Sequence, residues 1–163
     1  MEKMQFDVPI LFLIFNRPDT AQRVFCEIKK VRPKKLFVAA DGARSGVNGE
    51  AEKCELTRKI IEQIDWDCEL KTLFRNENLG CKKAVSSSIS WFFQNVEEGI
   101  ILEDDCLPDI TFFEYCRLLL EKYRHDARIA MISGDNFLPI KPKEYNSYFF
   151  SKYPHIWGWA SWK

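Results

Sequence analysis

Five short apolar runs, each about the length of one β-strand, constrain most strongly what this chain can fold into. They are Val8–Phe15, Leu36–Ala40, Leu70–Phe74, Gly99–Leu102 and Ile129–Ile132. Their apolar residues follow one another directly instead of alternating with polar ones, which is typical of parallel strands covered on both faces. We therefore expect a sheet with helices on both sides.

Four segments between these runs have helical spacing, and each places apolar side chains on one face. They are Thr20–Val31, Glu50–Ile64, Gly80–Val96 and Thr111–Arg124. Asp19 stands where it would cap the first helix, after Pro18. The order βαβαβαβαβ predicts an α/β fold with an open, mostly parallel sheet and right-handed crossovers. A chain of 163 residues suits a single domain, residues 1–163.

Composition and charge narrow the class of protein. With 24 basic and 24 acidic side chains, the chain lacks the basic excess that binds nucleic acid. No apolar stretch reaches the roughly 18 residues of a membrane span, and no signal-peptide cleavage site follows the first run. Six cysteines without a Cys-x-x-Cys pair indicate buried free thiols in a reducing compartment. We expect a cytoplasmic protein, free or at the membrane periphery.

Polar residues follow every apolar run. In open α/β sheets, ligands bind in the crevice outside the carboxyl ends of the strands. The residues at those ends are Asn16-Arg17, Asp41-Gly42, Arg75-Asn76, Glu103-Asp104-Asp105 and Ser133-Gly134-Asp135-Asn136. Loops after buried strands are commonly polar, so position alone does not identify a site. Glycine-rich phosphate-loop and dinucleotide motifs are absent from the sequence.

The acidic motif Glu103-Asp104-Asp105 raises an electrostatic question. Three adjacent carboxylates repel one another and lose solvation at the end of a buried strand. A divalent cation, Mn²⁺ or Mg²⁺, would keep them ionised, with the phosphates of a nucleotide-sugar completing its shell. In extended geometry Glu103 and Asp105 would point to one side and Asp104 to the other. A solvated acidic turn before Asp109, a helix cap, explains the same spacing equally well.

A family resemblance favours the first interpretation. The stretch from Gly99 to Cys116, which contains Glu-Asp-Asp and then Pro-Asp-x-x-Phe-Phe-Glu-Tyr, resembles the metal-site region of the N-acetylglucosaminyltransferase I-like GT-A glycosyltransferases. Pro9–Arg17, Phe37–Asp41 and Met131–Asn136 are similar to that family's first, second and fifth strand exits. The resemblance implies a Rossmann-like nucleotide-diphospho-sugar transferase fold. It also implies metal-dependent, inverting transfer from a UDP-sugar to a carbohydrate or glycan acceptor.

The resemblance assigns a role to each matching residue. Asp105 matches the ligand of Mn²⁺ or Mg²⁺, and Glu103 and Asp104 match residues that hold the nucleoside and sugar of the donor. Arg17 and Asp41 match residues that grip the uridine. A carboxylate can accept the uracil N3–H, and a guanidinium can donate to a carbonyl or phosphate oxygen. Taken singly, Arg17 would be a surface charge and Asp41 the start of an Asp-Gly turn.

Two further segments are ambiguous. Asn78–Ala84 opens the third helix, whose start would face the donor phosphates with Lys82 or Lys83 assisting, although lysines there are usually just solvated. Trp157–Trp162 resembles the family's Gly-Trp segment beside the donor sugar and acceptor. Core packing explains its tryptophans at least as well.

The catalytic base has no match in the chain. In the family a carboxylate base lies downstream of the Gly-Trp segment, whereas this sequence stops at Lys163, and Asp135 has no base role in the family pattern. Ending within an aromatic-rich segment suggests a GT-A domain truncated at its C-terminus, without the acceptor-binding part. We therefore expect binding of a UDP-sugar with metal, but poor transfer.

Two alternatives remain. A non-catalytic α/β domain could use the same crevice to bind a nucleotide or a partner. A sugar-phosphate nucleotidyltransferase shares the architecture, but the glycine-rich signature with Arg and Lys that follows its first strand is missing here.

Overall fold

The computed structural model describes residues 5–137 and 147–163. Its six-stranded sheet has the order β3-β2-β1-β4-β6-β5. The strands are β1 Ile10–Ile14, β2 Lys35–Ala40, β3 Glu69–Phe74, β4 Glu98–Glu103, β5 Ile132–Ser133 and β6 Trp159–Trp162. β1 to β4 are joined by parallel pairings, and β6 lies antiparallel between β4 and β5. The predicted α/β fold with an open, mostly parallel sheet is confirmed.

In the described part of the chain, four α-helices connect these strands. They are α1 Pro18–Val31, α2 Glu50–Arg58, α3 Cys81–Asn95 and α4 Ile110–Tyr123, and a 3₁₀ turn, Lys59–Gln63, extends α2. The prediction that Asp19 caps α1 is wrong, because the helix begins at Pro18 with Arg17 as its N-cap. Proline is favoured as the first helical residue, since its missing N–H would be unpaired there anyway. Asp19 lies in the first turn, where the helix dipole stabilises its negative charge.

The helices cover both faces of the sheet. Alternate side chains of β1 belong to different hydrophobic clusters: Phe12 packs with residues of α1 and α4, and Leu13 packs with residues of α3. All five residues of β1 are buried. A central strand covered on both sides needs apolar residues in succession, which explains the uninterrupted run in the sequence.

The outer strands depart from the prediction. The run Leu70–Phe74 does form β3, but it is an edge strand whose Glu69 and Leu70 are exposed, so burial on both faces is wrong there. The fifth strand, predicted at Ile129–Ile132, is only Ile132–Ser133. The strand β6 was not among the five predicted runs. Its sequence, Trp-Ala-Ser-Trp, contains a serine and two tryptophans, so it does not read as a continuous aliphatic run.

The second helix also differs from its prediction. Leu56, expected on the buried face of a helix from Glu50 to Ile64, is 48% exposed, whereas Cys54 and Thr57 are buried. The α-helix ends at Arg58 and tightens into the 3₁₀ turn. Its buried face is therefore rotated relative to the predicted one.

The six cysteines are free thiols, but not all are buried. Cys54 and Cys116 are buried as expected, whereas Cys26 and Cys81 are exposed, so the prediction is wrong for those two. None of the helices in the described part of the chain combines the length and apolar character needed to cross a bilayer.

Candidate functional site

Arg17 joins the ends of two central strands. It follows β1, and β4 lies beside β1 with Leu13 aligned to Glu103. The Nη1 group of Arg17 donates to Oδ2 of Asp105 at 2.8 Å, and Nη2 donates to Oδ1 of Asp104. The structure thus brings together three residues of the predicted site, from segments 87 and 88 positions apart in sequence.

The acidic motif does not keep the extended geometry predicted for it. The strand ends at Glu103, and the chain turns so that the N–H of Cys106 donates to the Glu103 carbonyl at 3.1 Å. One guanidinium therefore contacts both Asp104 and Asp105. The expectation that these two carboxylates point to opposite sides is wrong, because the turn replaces the pleat.

Asp104 is the buried member of the motif. Its side chain is only 3% exposed, and its Oδ2 accepts the backbone N–H of Phe15 at 3.1 Å. Burial raises the pKa of Asp104, and the charge of Arg17 only partly opposes that rise. Burial also lowers the pKa of Arg17, but the two carboxylates outweigh it and the net shift is upward. Asp104 thus joins the β1 exit to β4 and anchors the guanidinium.

Asp105 and Glu103 are more accessible. The Asp105 side chain is 41% exposed, and its Oδ1 lies 3.8 Å from the Cys106 thiol, whose pKa burial raises to about 11. Glu103, the last residue of β4, is partly buried. Burial raises the pKa of Glu103, and the charges of Asp105 and then Asp104 raise it further. A ligand could reach both carboxylates.

Asp41 is committed to the protein's own backbone. Its Oδ1 accepts from the N–H groups of Gly42 at 3.1 Å and Leu79 at 3.0 Å. Its Oδ2 accepts from Leu79 and Gly80, both at 3.1 Å. The side chain thereby fastens the exit of β2 to the start of α3. The predicted contact with uridine stays a prediction, since these amides already occupy much of its acceptor capacity.

A close backbone approach fixes the same junction. A Cβ atom at Gly42 would lie 2.5 Å from the carbonyl carbon of Glu77. The Asn78 amide donates to the Gly42 carbonyl at 2.8 Å. Lys83 lies exposed in the first turn of the adjoining helix, where its carbonyl accepts from the hydroxyls of Ser86 and Ser87. The start of α3 is thus held at the carboxyl edge.

Glu50 lies close to the candidate site, although it was not among the site residues predicted from the sequence. Its side chain is 3% exposed, and it accepts from the Asn16 amide at 2.8 Å and from the backbone N–H of Arg44 at 2.7 Å. Hydrogen bonding from Arg44 lowers the pKa of Glu50 to about 2, against the effect of burial. These contacts hold the 41–51 loop against the exit of β1. The signal available in sequence was an acid at the start of a helix, which is too common to single out.

Within the Trp157–Trp162 segment, some tryptophans fit core packing and one could contact a ligand. Trp159 and Trp162 lie in β6 and are partly buried against the hydrophobic clusters, whereas Trp157 is 62% exposed. The strand residues support packing. Trp157 remains available to a ligand.

A second polar group lies at the same edge. Ser133 donates to Oδ1 of Asp135 at 2.7 Å, and Nδ1 of His155 lies 3.3 Å from that same oxygen. The ring of Phe137 stacks on His155 with a centroid distance of 5.2 Å. No sequence motif singles out His155. Its position could be found only by placing β6, the antiparallel strand that brings it back to the sheet.

Comparison with known proteins adds a similarity of chain path alone. No family model and no curated protein matches this chain. One solved structure that does match is a 4-diphosphocytidyl-2C-methyl-D-erythritol synthase from Anaerococcus prevotii, with a TM-score of 0.46 and 10% sequence identity. The match covers 94% of this chain and 70% of that one. We infer no activity from a similarity of this degree.

Proposed function

We propose that this chain binds a UDP-sugar together with Mn²⁺ or Mg²⁺ at the carboxyl edge of its sheet, as part of a GT-A-type glycosyltransferase. The observation that carries the proposal is the contact of Arg17 with both Asp104 and Asp105 at the ends of two adjacent central strands. A fixed cation and an accessible carboxylate then lie side by side, which is the pair of charges that a metal-bound diphosphate requires.

The acids present suit a cation shared with a ligand. In residues 5–137 and 147–163, no three His, Cys, Asp or Glu side chains converge on a common point as a metal site. A magnesium-type cation is commonly held by one or two carboxylates, with phosphates and water as the other ligands. Asp105 would be the carboxylate, and Glu103 the nearest second acid. When bound, the cation would stabilise the charge that grows on the leaving diphosphate.

The surrounding groups suit a diphosphate. Arg17 is 48% exposed, so it can release Asp105 to a cation and turn one N–H toward a phosphate while it still contacts Asp104. The first N–H groups of a helix have no partners within the helix and attract anions, and α3 begins at this edge. Lys83 in its first turn would add a positive charge. The contact with Asp104 would hold the guanidinium of Arg17 near the donor.

Thermal unfolding tests the proposal. Mn²⁺ with UDP at about a hundred times its dissociation constant should add roughly 2.7 kcal/mol to the free energy of unfolding. For a domain of this size, that corresponds to a rise of about 5–10 °C in Tm. UDP alone and Mn²⁺ alone should each give a much smaller rise. The same titrations with UDP-, GDP- and dTDP-sugars would identify the nucleotide.

Two variants make the test specific. Asp105→Asn should remove the dependence on metal while keeping an oxygen for Arg17. Asp67→Asn, which alters an exposed acid just before β3 at the opposite edge, should behave like the wild type. An unchanged Tm with Mn²⁺ and UDP would contradict the proposal and favour a partner-binding domain. Release of pyrophosphate from UTP and a sugar phosphate would instead identify a nucleotidyltransferase.

A further inference from the structure

We propose that His155, positioned by Asp135, is the general base that deprotonates the attacking hydroxyl. This inference rests on the proposed function, because it concerns the acceptor side of the same edge. It also departs from the family resemblance, which implies a carboxylate base downstream of the Gly-Trp segment. The contact that carries it is the 3.3 Å distance between Nδ1 of His155 and Oδ1 of Asp135.

The strand register places this pair at the same edge of the sheet as the acidic motif. Trp159 of β6 is aligned with Ile101 of β4 on one side and with Ser133 of β5 on the other. Two residues further along, β4 reaches Glu103 and the β5 segment reaches Asp135. Two strand spacings separate those positions, or about 10 Å. That span leaves room for a sugar and an attacking hydroxyl between them.

Both acids also lie on the same face of the sheet. Ile101 belongs to the cluster on the α3 face, and Glu103, two residues later in the same strand, shares that face. The hydroxyl of Ser133, aligned with Ile101 across β6, contacts Asp135. The intervening Gly134 faces the other way, since a Cβ there would lie 2.5 Å from the Phe112 ring.

Asp135 is arranged to orient an imidazole. Its side chain is 16% exposed, and its Oδ2 is buried with no hydrogen-bond partner in the described part of the chain. A carboxylate beside Nδ1 favours the tautomer that carries its proton there, and Nε2 is then an acceptor. Phe137 stacks on the His155 ring at an interplanar angle of 22°, which restricts its rotation. His155 itself is 33% exposed, so an acceptor can reach it.

The proposed step balances as a single displacement. The acceptor oxygen, from a sugar hydroxyl or from water, forms a bond to the anomeric carbon of the donor. Its proton passes to Nε2 of His155, and the imidazolium is stabilised by Asp135. The bond from the anomeric carbon to the diphosphate oxygen breaks, and its electron pair leaves with UDP. Histidine regains its neutral form by releasing the proton to solvent.

The experiment measures UDP released from UDP-sugars by the 163-residue chain with Mn²⁺, using water and a panel of simple sugars as acceptors. General base catalysis contributes about 100- to 10,000-fold, so His155→Ala should lower kcat by about 100-fold or more. The dissociation constant of His155→Ala for Mn²⁺-UDP, measured by calorimetry, should stay within about twofold of the wild-type value, because the proposed base contacts the acceptor and not the nucleotide. Added imidazole should restore part of the lost rate. Asp135→Asn should lower kcat less, without restoration by imidazole.

The second histidine of the chain provides the matched control. His125 is exposed just after α4, at the far edge of the sheet, and His125→Ala should leave kcat unchanged. Equal kcat values for His155→Ala and the wild type would overturn the proposal. So would a wild type that binds Mn²⁺-UDP but releases no UDP from any UDP-sugar. Loss of Mn²⁺-UDP binding by the wild type would refute the proposed function instead, which separates the two failures.

Discussion

Replacing Asp41 by asparagine tests whether this acid serves the fold or the nucleotide. Both oxygens of Asp41 are bonded to backbone N–H groups, two of which, from Leu79 and Gly80, lie at the entrance to α3. An asparagine keeps one oxygen and places an NH₂ group where the other oxygen stood. At least one backbone N–H then faces another donor instead of an acceptor.

The cost follows from the number of donors involved. A buried donor left without an acceptor costs about 1–3 kcal/mol, and Asp41 is only 8% exposed. The remaining bonds also lose the strengthening that a charged acceptor provides, which is about half of their energy. We expect Asp41→Asn to lower the free energy of unfolding by about 2–4 kcal/mol. At this chain length the corresponding fall in Tm is about 5–15 °C.

The assay combines thermal unfolding with hydrogen exchange of backbone amides. In the variant, exchange should accelerate in the peptide that contains Leu79 and Gly80, while peptides from β1 keep their protection. Asp67→Asn, an exposed acid, should change Tm by less than about 1 °C. An unchanged Tm and unchanged protection, together with a loss of affinity for UDP, would refute this reasoning and assign Asp41 to the uridine.

Three further perturbations have outcomes that follow from single contacts. Gly42→Ala places a Cβ atom 2.5 Å from the backbone of Glu77, so it should lower the free energy of unfolding by about 2–3 kcal/mol in a denaturant titration. Gly46→Ala places its Cβ atom where nothing lies within 4 Å. It should lower the free energy of unfolding only by the strain of its positive φ, about 1 kcal/mol. Because the pKa of Glu50 is lowered to about 2, its carboxylate stabilises the fold above the ordinary glutamate range, and Tm should fall as pH drops from about 4.5 to 2. Glu50→Gln should flatten that fall, and equal slopes for the two proteins would contradict it. A thiol reagent should label the exposed Cys81 in the native protein but label Cys116, whose pKa burial raises, only after unfolding.

The central strands were predictable because burial on both faces leaves a strong trace in the sequence. Runs such as the one ending at Phe15 are typical of a covered parallel strand. Edge strands leave a weaker trace, since Leu70 and its neighbours alternate between exposed and partly buried positions. The two-residue β5 and the strand β6 depend on long-range pairing with β4, which local periodicity does not report.

The candidate site divides in the same way. Parallel strands end at one edge of a sheet, so the sequence could place Arg17 and the acidic motif at the same edge. Their contact depends on the pairing of β1 with β4, which the sequence did not predict. The commitment of Asp41 to backbone amides depends on the path of the loop before α3, which no spacing rule describes. The contact between Asp135 and His155 depends on β6. Because that strand forms by long-range pairing, the sequence could not predict the contact either.

The carboxyl edge holds two carboxylate groups whose side-chain partners differ in kind. Arg17 keeps its charge at every physiological pH, so it can balance Asp104 and a diphosphate but cannot take a proton. A neutral imidazole has an unprotonated nitrogen that can accept a proton, so the group that contacts Asp135 can do what the guanidinium cannot. A displacement at a sugar needs a lasting positive charge on the leaving side and a proton acceptor on the attacking side. Two strand spacings separate the ends of β4 and β5, which carry the two carboxylate groups, so the two proposed roles would have separate places at one edge.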